Sequence, residues 1–201
     1  LDFMDKIKIQ SKDKVYGTGI IHEFNEREYT VFELMVIMLI QSDNTAANKI
    51  IDLVGMEQIN EDIVAMGLKN TKLNRKTNDE RTVVSNIENI TTAYDLARIW
   101  KHLSNGTFLS KDNGQMLIDI LRRQQIKNKL ALYIPDDLKI EISSKTGDKK
   151  GVENDTEYLE LPKGKFTFTV LSEGIPNSVY GTVSLAKCGK MMWDEITNNW
   201  N

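Results

Sequence analysis

Apolar residues run almost unbroken from Val31 to Ile40. The run opens on Thr30-Val31-Phe32-Glu33, the capping-box pattern of a Thr cap with Glu three residues on. A helix that is apolar nearly all round is expected at the centre of its domain. Thr45 to Val54 reads as a second helix stopped by Gly55, and Met56 to Met66 as a third stopped by Gly67. Upstream, Lys6-Ile7-Lys8-Ile9 alternates like a short strand, and Gly17-Thr18-Gly19 reads as a loop. Residues 68–90 show no clear period and are rich in Asn, Thr, Lys, Asp and Glu; loops of this length in a compact unit are usually functional. Thr91 or Thr92 then caps a helix to about Leu103, and Ser110 caps another to about Arg123. After Asn128 the texture changes. Lys139 to Lys145 and Gly151 to Leu161 read as extended, and Phe166 to Leu171 alternates with period two after a turn at Pro162-Lys163-Gly164-Lys165. Pro176 and Ser178 open a last helix, with Val179, Val183, Ala186 and Trp193 near one face for packing on the strands. Helices first, then three strands with hairpin-length connections, then a helix, make an α+β fold. The expected division is a mostly helical part, 1–128, holding the long loop 68–90, and a part, 129–201, of three antiparallel strands and a helix.

Composition narrows the functional classes. The 201 residues are 40% hydrophobic and 27% charged, ordinary for a globular chain and unlike a disordered one. A net charge of −3 with both signs interspersed carries no nucleic-acid footprint. The longest apolar run is about ten residues, too short to cross a bilayer. Cys188 is the one cysteine, so no intrachain disulfide can form, and it reads as a small packing residue. His22 and His102 lie far apart with no Cys/His cluster, so neither a metal nor another cofactor is expected. His102 reads as a solvated or capping residue, and Asp136-Asp137 and Glu153 to Glu157 read as solvated faces. The chain opens Leu1-Asp2-Phe3-Met4 with neither an initial Met nor a signal-peptide pattern, which points to a processed or truncated chain.

The candidate chemistry begins where the apolar run stops, at Ser42-Asp43-Asn44. Burying a hydroxyl, a carboxylate and a carboxamide together costs free energy unless partners are supplied. Read alone, the cluster is a helix end followed by the cap of the next helix. About a hundred residues on stands Lys145-Thr146-Gly147, preceded by Ser143-Ser144. The pair resembles two of the three signatures of class A β-lactamases and penicillin-binding proteins. The resemblance extends through Ser42-Asp43-Asn44-Thr45-Ala46-Ala47-Asn48, Asp52-Leu53-Val54-Gly55, Leu73-Asn74-Arg75, Thr91-Thr92 and Ser144-Lys145-Thr146-Gly147, in order over nearly the whole chain.

This resemblance implies a serine hydrolase that opens a β-lactam amide through an acyl-serine intermediate. Ser42 would relay a proton to the departing nitrogen, and Lys145 would supply positive charge beside it. Asn44 would hold the substrate's side-chain amide, and Thr146 its carboxylate. Gly147 would let the ligand approach the strand closely. The backbone N–H of Asp148 would be one of two oxyanion-hole donors. Tyr16 would be an aromatic wall at the site mouth, its alternative being a surface loop residue. Asp43 would be structural, as would Asn48, Arg75 and Thr77 near the site. The expected partner is a β-lactam or a peptidoglycan-like small substrate, and the family's usual address is outside the cytoplasmic membrane.

The departures are as informative. The one Ser-x-x-Lys upstream of Ser42, Ser11-Lys12-Asp13-Lys14, lies in a charged segment and only 31 residues before Ser42. The family puts its nucleophilic serine at the start of a buried helix and much further from the second motif. The nucleophile is therefore expected before residue 1, together with a strand that pairs with one side of Phe166 to Leu171. Residues 1–201 alone are expected to be unstable or to associate through that open edge, which a circular dichroism melt tests. Family members that hydrolyse antibiotics carry a Glu two residues after the loop Arg, to activate the deacylating water. Here Thr77 stands at that place, and Asp79 and Glu80 are displaced. The family's Arg–Asp pair across the loop looks altered, with Asn89 near the Asp position. No Arg follows Arg123 to grip a substrate carboxylate, leaving Lys149, Lys150, Lys187 or Lys190 as substitutes. Three readings result: a β-lactamase conferring antibiotic resistance, a penicillin-binding or peptide/ester-acting acyl-enzyme that deacylates poorly, and a non-catalytic binding relative.

Overall fold

The computed structural model describes residues 1–77, 87–135, 138 and 140–200. Contacts gather the chain into two compact units, Leu1–Thr91 and Thr92–Asn201.

In the first unit, β1 (Lys6–Ile9) pairs antiparallel with β2 (Arg27–Thr30), Ile7 opposite Tyr29. Thr30 ends β2 and caps α1 (Val31–Gln41). Its hydroxyl accepts from the Glu33 N–H at 3.1 Å while Glu33 Oε2 accepts from the Thr30 N–H at 2.7 Å, closing the capping box the sequence spells. Ser42 and Asp43 alone separate α1 from α2 (Asn44–Val54). Gly55, at φ 89°, turns the chain into α3 (Met56–Ala65). Ile9, Ile21, Tyr29, Leu34 and Ala46 form the core. Val31 and Leu34 of α1 are buried, but Met35 to Ile40 are only half covered. An all-apolar stripe tells nothing of how many neighbours a helix has.

In the second unit, Thr92 caps α4 (Ala93–Asn105) and Ser110 caps α5 (Lys111–Arg122), each hydroxyl accepting a backbone N–H at 3.2 Å. The sheet β3 (Glu141–Lys149), β4 (Val152–Leu161), β5 (Gly164–Val170) is antiparallel in sequence order. Asn177 caps α6 (Ser178–Asn199). The central strand β4 is covered on both faces. Trp100 of α4 stacks on Tyr158 and donates its indole N–H to Thr156 at 2.8 Å, while Leu159 joins Leu130, Phe168, Leu185, Trp193 and Ile196 under α6. Cys188 packs half-buried against that core, and His102 Nδ1 meets the Thr107 hydroxyl at 2.7 Å.

Two expectations fail here. Val179 and Val183 face solvent; the buried stripe of α6 is Gly181, Leu185, Ala186, Gly189, Trp193 and Ile196. The glycines carry no hydrophobic signal, yet Gly189 lies against the Leu130 carbonyl where any Cβ would collide. Glu153, Asp155 and Glu157 are not a solvated face but buried, because β4 is the central strand and these side chains share the face that carries Leu159. Asp136-Asp137 and Lys139 lie outside the described residues. Among the described residues no helix is long and apolar enough to cross a membrane.

Candidate active site

Ser42 occupies the left-handed region, φ 52° and ψ 39°, and is the one non-glycine residue among those described with positive φ. Such backbone persists where the surroundings enforce it and clusters at functional sites. Asp43 enforces it here. Fully buried, its carboxylate accepts from the Ala46 N–H at 2.8 Å as the cap of α2, and from the Ile20 and Ile21 N–H groups at 2.6 and 2.9 Å. The loop carrying Ile20 comes so close that a Cβ on Gly19 would run into Asp43. Asn44 completes the tie, its N–H to the Thr18 carbonyl and its amide to the Tyr16 carbonyl, both at 3.1 Å. The Tyr16 ring is exposed and meets His22 edge-on. Ser42, Asp43, Asn44 and Tyr16 are thus one assembly.

One turn along α2, Asn48 reaches the long loop. Its carboxamide accepts from the Thr77 N–H at 2.8 Å and donates to the Thr77 carbonyl at 2.9 Å, fixing that residue's backbone from both sides. Asn89 does the same for the loop entry, accepting from the Asn74 and Arg75 N–H groups and donating to the Arg75 carbonyl. The Arg75 ion pair survives in altered form: Glu88, not residue 89, meets the guanidinium at 2.8 Å. Asp79 and Glu80 lie outside the described residues.

The second group is on β3. Ser143 Oγ donates to the Ile118 carbonyl at 2.9 Å, and the Ser144 carbonyl accepts from the buried Gln124 at 3.1 Å, so α5 and its C-terminal turn fix the strand. Lys145 donates to the Thr146 carbonyl at 2.6 Å. Burial pulls its pKa down to about 8, partly opposed by Asp148 and Asp155. The Thr146 hydroxyl is buried with no hydrogen-bond partner, a state that calls for a ligand or water. At Gly147 a Cβ would meet nothing nearer than Asn154 Cβ at 4.0 Å, so the strand face is open there.

The charges next to this strand were missed. Lys129 touches the Asp148 carboxylate, lies 2.7 Å from Glu153 Oε2 and donates to the Asn154 carbonyl at 3.2 Å. Burial raises the Asp148 pKa against the pull of Lys129. Burial also lifts Glu153, but hydrogen bonds from Lys129, Ser178 and Asp148 outweigh it and leave Glu153 low. Deeper on β4, burial pushes Asp155 up to about 6 and Glu157 well above the usual carboxylate range. The hairpin register, Asp148 opposite Glu153, was a usable signal: two facing carboxylates need a cation. Of the substitutes named for a missing arginine, Lys149, Lys150 and Lys187 are exposed, and Lys190 pairs with Asp194.

A model described as the beta-lactamase enzyme family matches residues 1–196. The chain belongs to that family. Solved structures agree with the fold. A beta-lactamase from Sphaerobacter thermophilus DSM 20745 is 28% identical with a TM-score of 0.88, the match covering 96% of this chain and 72% of that one. A class A beta-lactamase from Bacteroides cellulosilyticus DSM 14838 is 19% identical, TM-score 0.84, over 98% and 76%. PBP-A is 23% identical, TM-score 0.81, over 97% and 72%; a mutant of it has been solved as an acyl-enzyme complex with penicillin G. No curated protein sequence matches the chain. The α+β architecture is that of these beta-lactamases, and the chain is a beta-lactamase-like serine hydrolase.

Proposed function

We propose that the full-length protein is acylated by β-lactams at a serine and releases the acyl group slowly. The observation that carries this reading is Asn48 clasping both backbone groups of Thr77. The loop is held as a deacylating loop needs to be, yet the side chain presented there is a hydroxyl with no basicity near neutral pH. In acylation the serine oxygen bonds the lactam carbonyl carbon, and the C–N bond breaks. The serine's proton reaches the leaving nitrogen through Ser42. Asn44 holds the substrate amide, Lys145 and Thr146 hold the carboxylate, and the Asp148 N–H stabilises the oxyanion. The unpartnered Thr146 hydroxyl supports its share of this. Asp43, Asn48 and Arg75 hold the frame. Tyr16, exposed with its carbonyl bonded to Asn44, would cover the ligand. The nucleophile is expected from a Ser-x-x-Lys motif before residue 1, so the test uses the full-length protein.

A second reading is rapid hydrolysis, and with it antibiotic resistance; the 28% identity to a beta-lactamase favours it. Mass spectrometry after benzylpenicillin separates the two, with nitrocefin turnover alongside. A stable adduct with slow turnover supports slow deacylation. Fast turnover without an accumulating adduct supports the lactamase. Neither adduct nor turnover defeats both.

A further inference from the structure

Pairing of β3 with β4 puts Asp148 directly opposite Glu153. Facing carboxylates weaken a sheet unless a cation joins them. Lys129, only 2% exposed at its side chain, joins these two and also donates to the Asn154 carbonyl. Three acceptors match the three N–H bonds of an ammonium. Glu153 is buttressed in turn from α6. Ser178 hydrogen-bonds it, and Gly181 leaves room for its stem, since a Cβ there would meet Glu153 Cβ and Cγ.

Asp148 follows Lys145-Thr146-Gly147, and in the reading above its N–H faces the developing oxyanion. A carboxylate on that same residue opposes negative charge at that point. We propose that Lys129 is a positioning residue for acyl transfer: by joining Asp148, Glu153 and the Asn154 carbonyl it fixes the end of β3 and balances the Asp148 charge where the oxyanion forms. This rests on the acyl-enzyme reading. Lys129 exchanges no proton or bond with the substrate; it acts through Asp148. Lys145 and Asp155 also lie near this cluster, Lys149 follows Asp148 on β3, and Glu157 hydrogen-bonds Asp155.

The test is the concentration dependence of acylation by benzylpenicillin, followed by mass spectrometry on the full-length protein. It separates the saturating rate from the half-saturating concentration. Lys129→Met is expected to lower the saturating rate about 10-fold or more while moving half-saturation by less than about threefold, as loss of oxyanion stabilisation does. Lys129→Arg, which keeps the charge, recovers most of the rate. Adding Asp148→Asn to Lys129→Met recovers part of it, because the uncompensated carboxylate is gone. If Lys129→Met does not fold, Lys129→Gln, which removes the charge but keeps hydrogen-bond donors, is read in its place. A wild-type rate in the variant, a loss confined to half-saturation, or no recovery in the double variant overturns the proposal. A wild-type protein that forms no adduct at all overturns instead the acyl-enzyme reading beneath it.

Discussion

Asp43 shows how one residue can serve as helix cap and loop anchor together. Its three backbone hydrogen bonds join the start of α2 to the loop at Ile20 and Ile21. Asp43→Ala leaves those N–H groups unmet in a buried place, so a loss of about 3 kcal/mol is expected from urea unfolding of the full-length protein. In the slow release proposed above, Thr77 is the residue on which turnover depends. Thr77→Glu puts a carboxylate where Asn48 already holds the backbone, and decay of the penicillin adduct should accelerate roughly 10²-fold, the usual scale for a positioned general base. An unchanged decay rate would show that Thr77 does not occupy the deacylating position. Lys145 gives a pH signature. With its pKa drawn down to about 8 by burial, it loses its charge as pH rises through 8, and the carboxylate binding proposed for it should weaken as well. Acylation efficiency should therefore fall between about pH 7 and 9, a limb that Lys145→Arg removes because arginine stays charged. The sign for stability is opposite. Below pH 8 the folded protein bears the cost of a buried ammonium, and that cost is relieved as pH climbs from 8 towards the ordinary lysine value.

At the scale of elements, the caps were legible and the buried faces less so. Thr30, Thr92 and Ser110 each start the helix their spacing predicts, because a cap is a local contest between a side chain and the nearest backbone N–H groups. The hairpin between β4 and β5 was likewise written in turn residues, at Pro162 to Lys165. The buried side of α6 was not, since two of its contact positions are glycines chosen for closeness. Gly189→Ala should push α6 off the Leu130 carbonyl and cost about 1–3 kcal/mol by chemical denaturation, with the helix itself intact by circular dichroism. The acids of β4 were misplaced for a related reason. Alternation on a strand tells which residues share a face, but not whether Lys129, a dozen or more residues away in sequence, comes to neutralise them.

Across the whole molecule, the buried acids of β4 link stability to pH. Asp155 and Glu157 have folded pKa values raised by burial, so their protonated forms favour the fold. That contribution is complete below the ordinary carboxylate range and is lost as pH rises through about 6 and beyond. Glu157→Gln keeps the shape and removes the titration. The variant should gain on the wild type as pH is raised from 5 to 7.5, read as the difference in urea midpoints; a gap that does not change with pH would remove Glu157 from the linkage.

The sequence by itself determined the α+β class, the helix starts, the three-stranded sheet and the motifs Ser42-Asp43-Asn44 and Lys145-Thr146-Gly147. All of these are fixed by short-range chemistry: caps, turns and periodicity. Only the tertiary structure decided what those motifs are tied to. It set Asp43 under the loop at Ile20, Asn48 on Thr77, Glu88 on Arg75, and Lys129 between Asp148 and Glu153. Such ties join residues far apart in sequence. Their energies come from burial and from a partner's exact charge and reach, and neither leaves a mark on the residues' near neighbours in the chain.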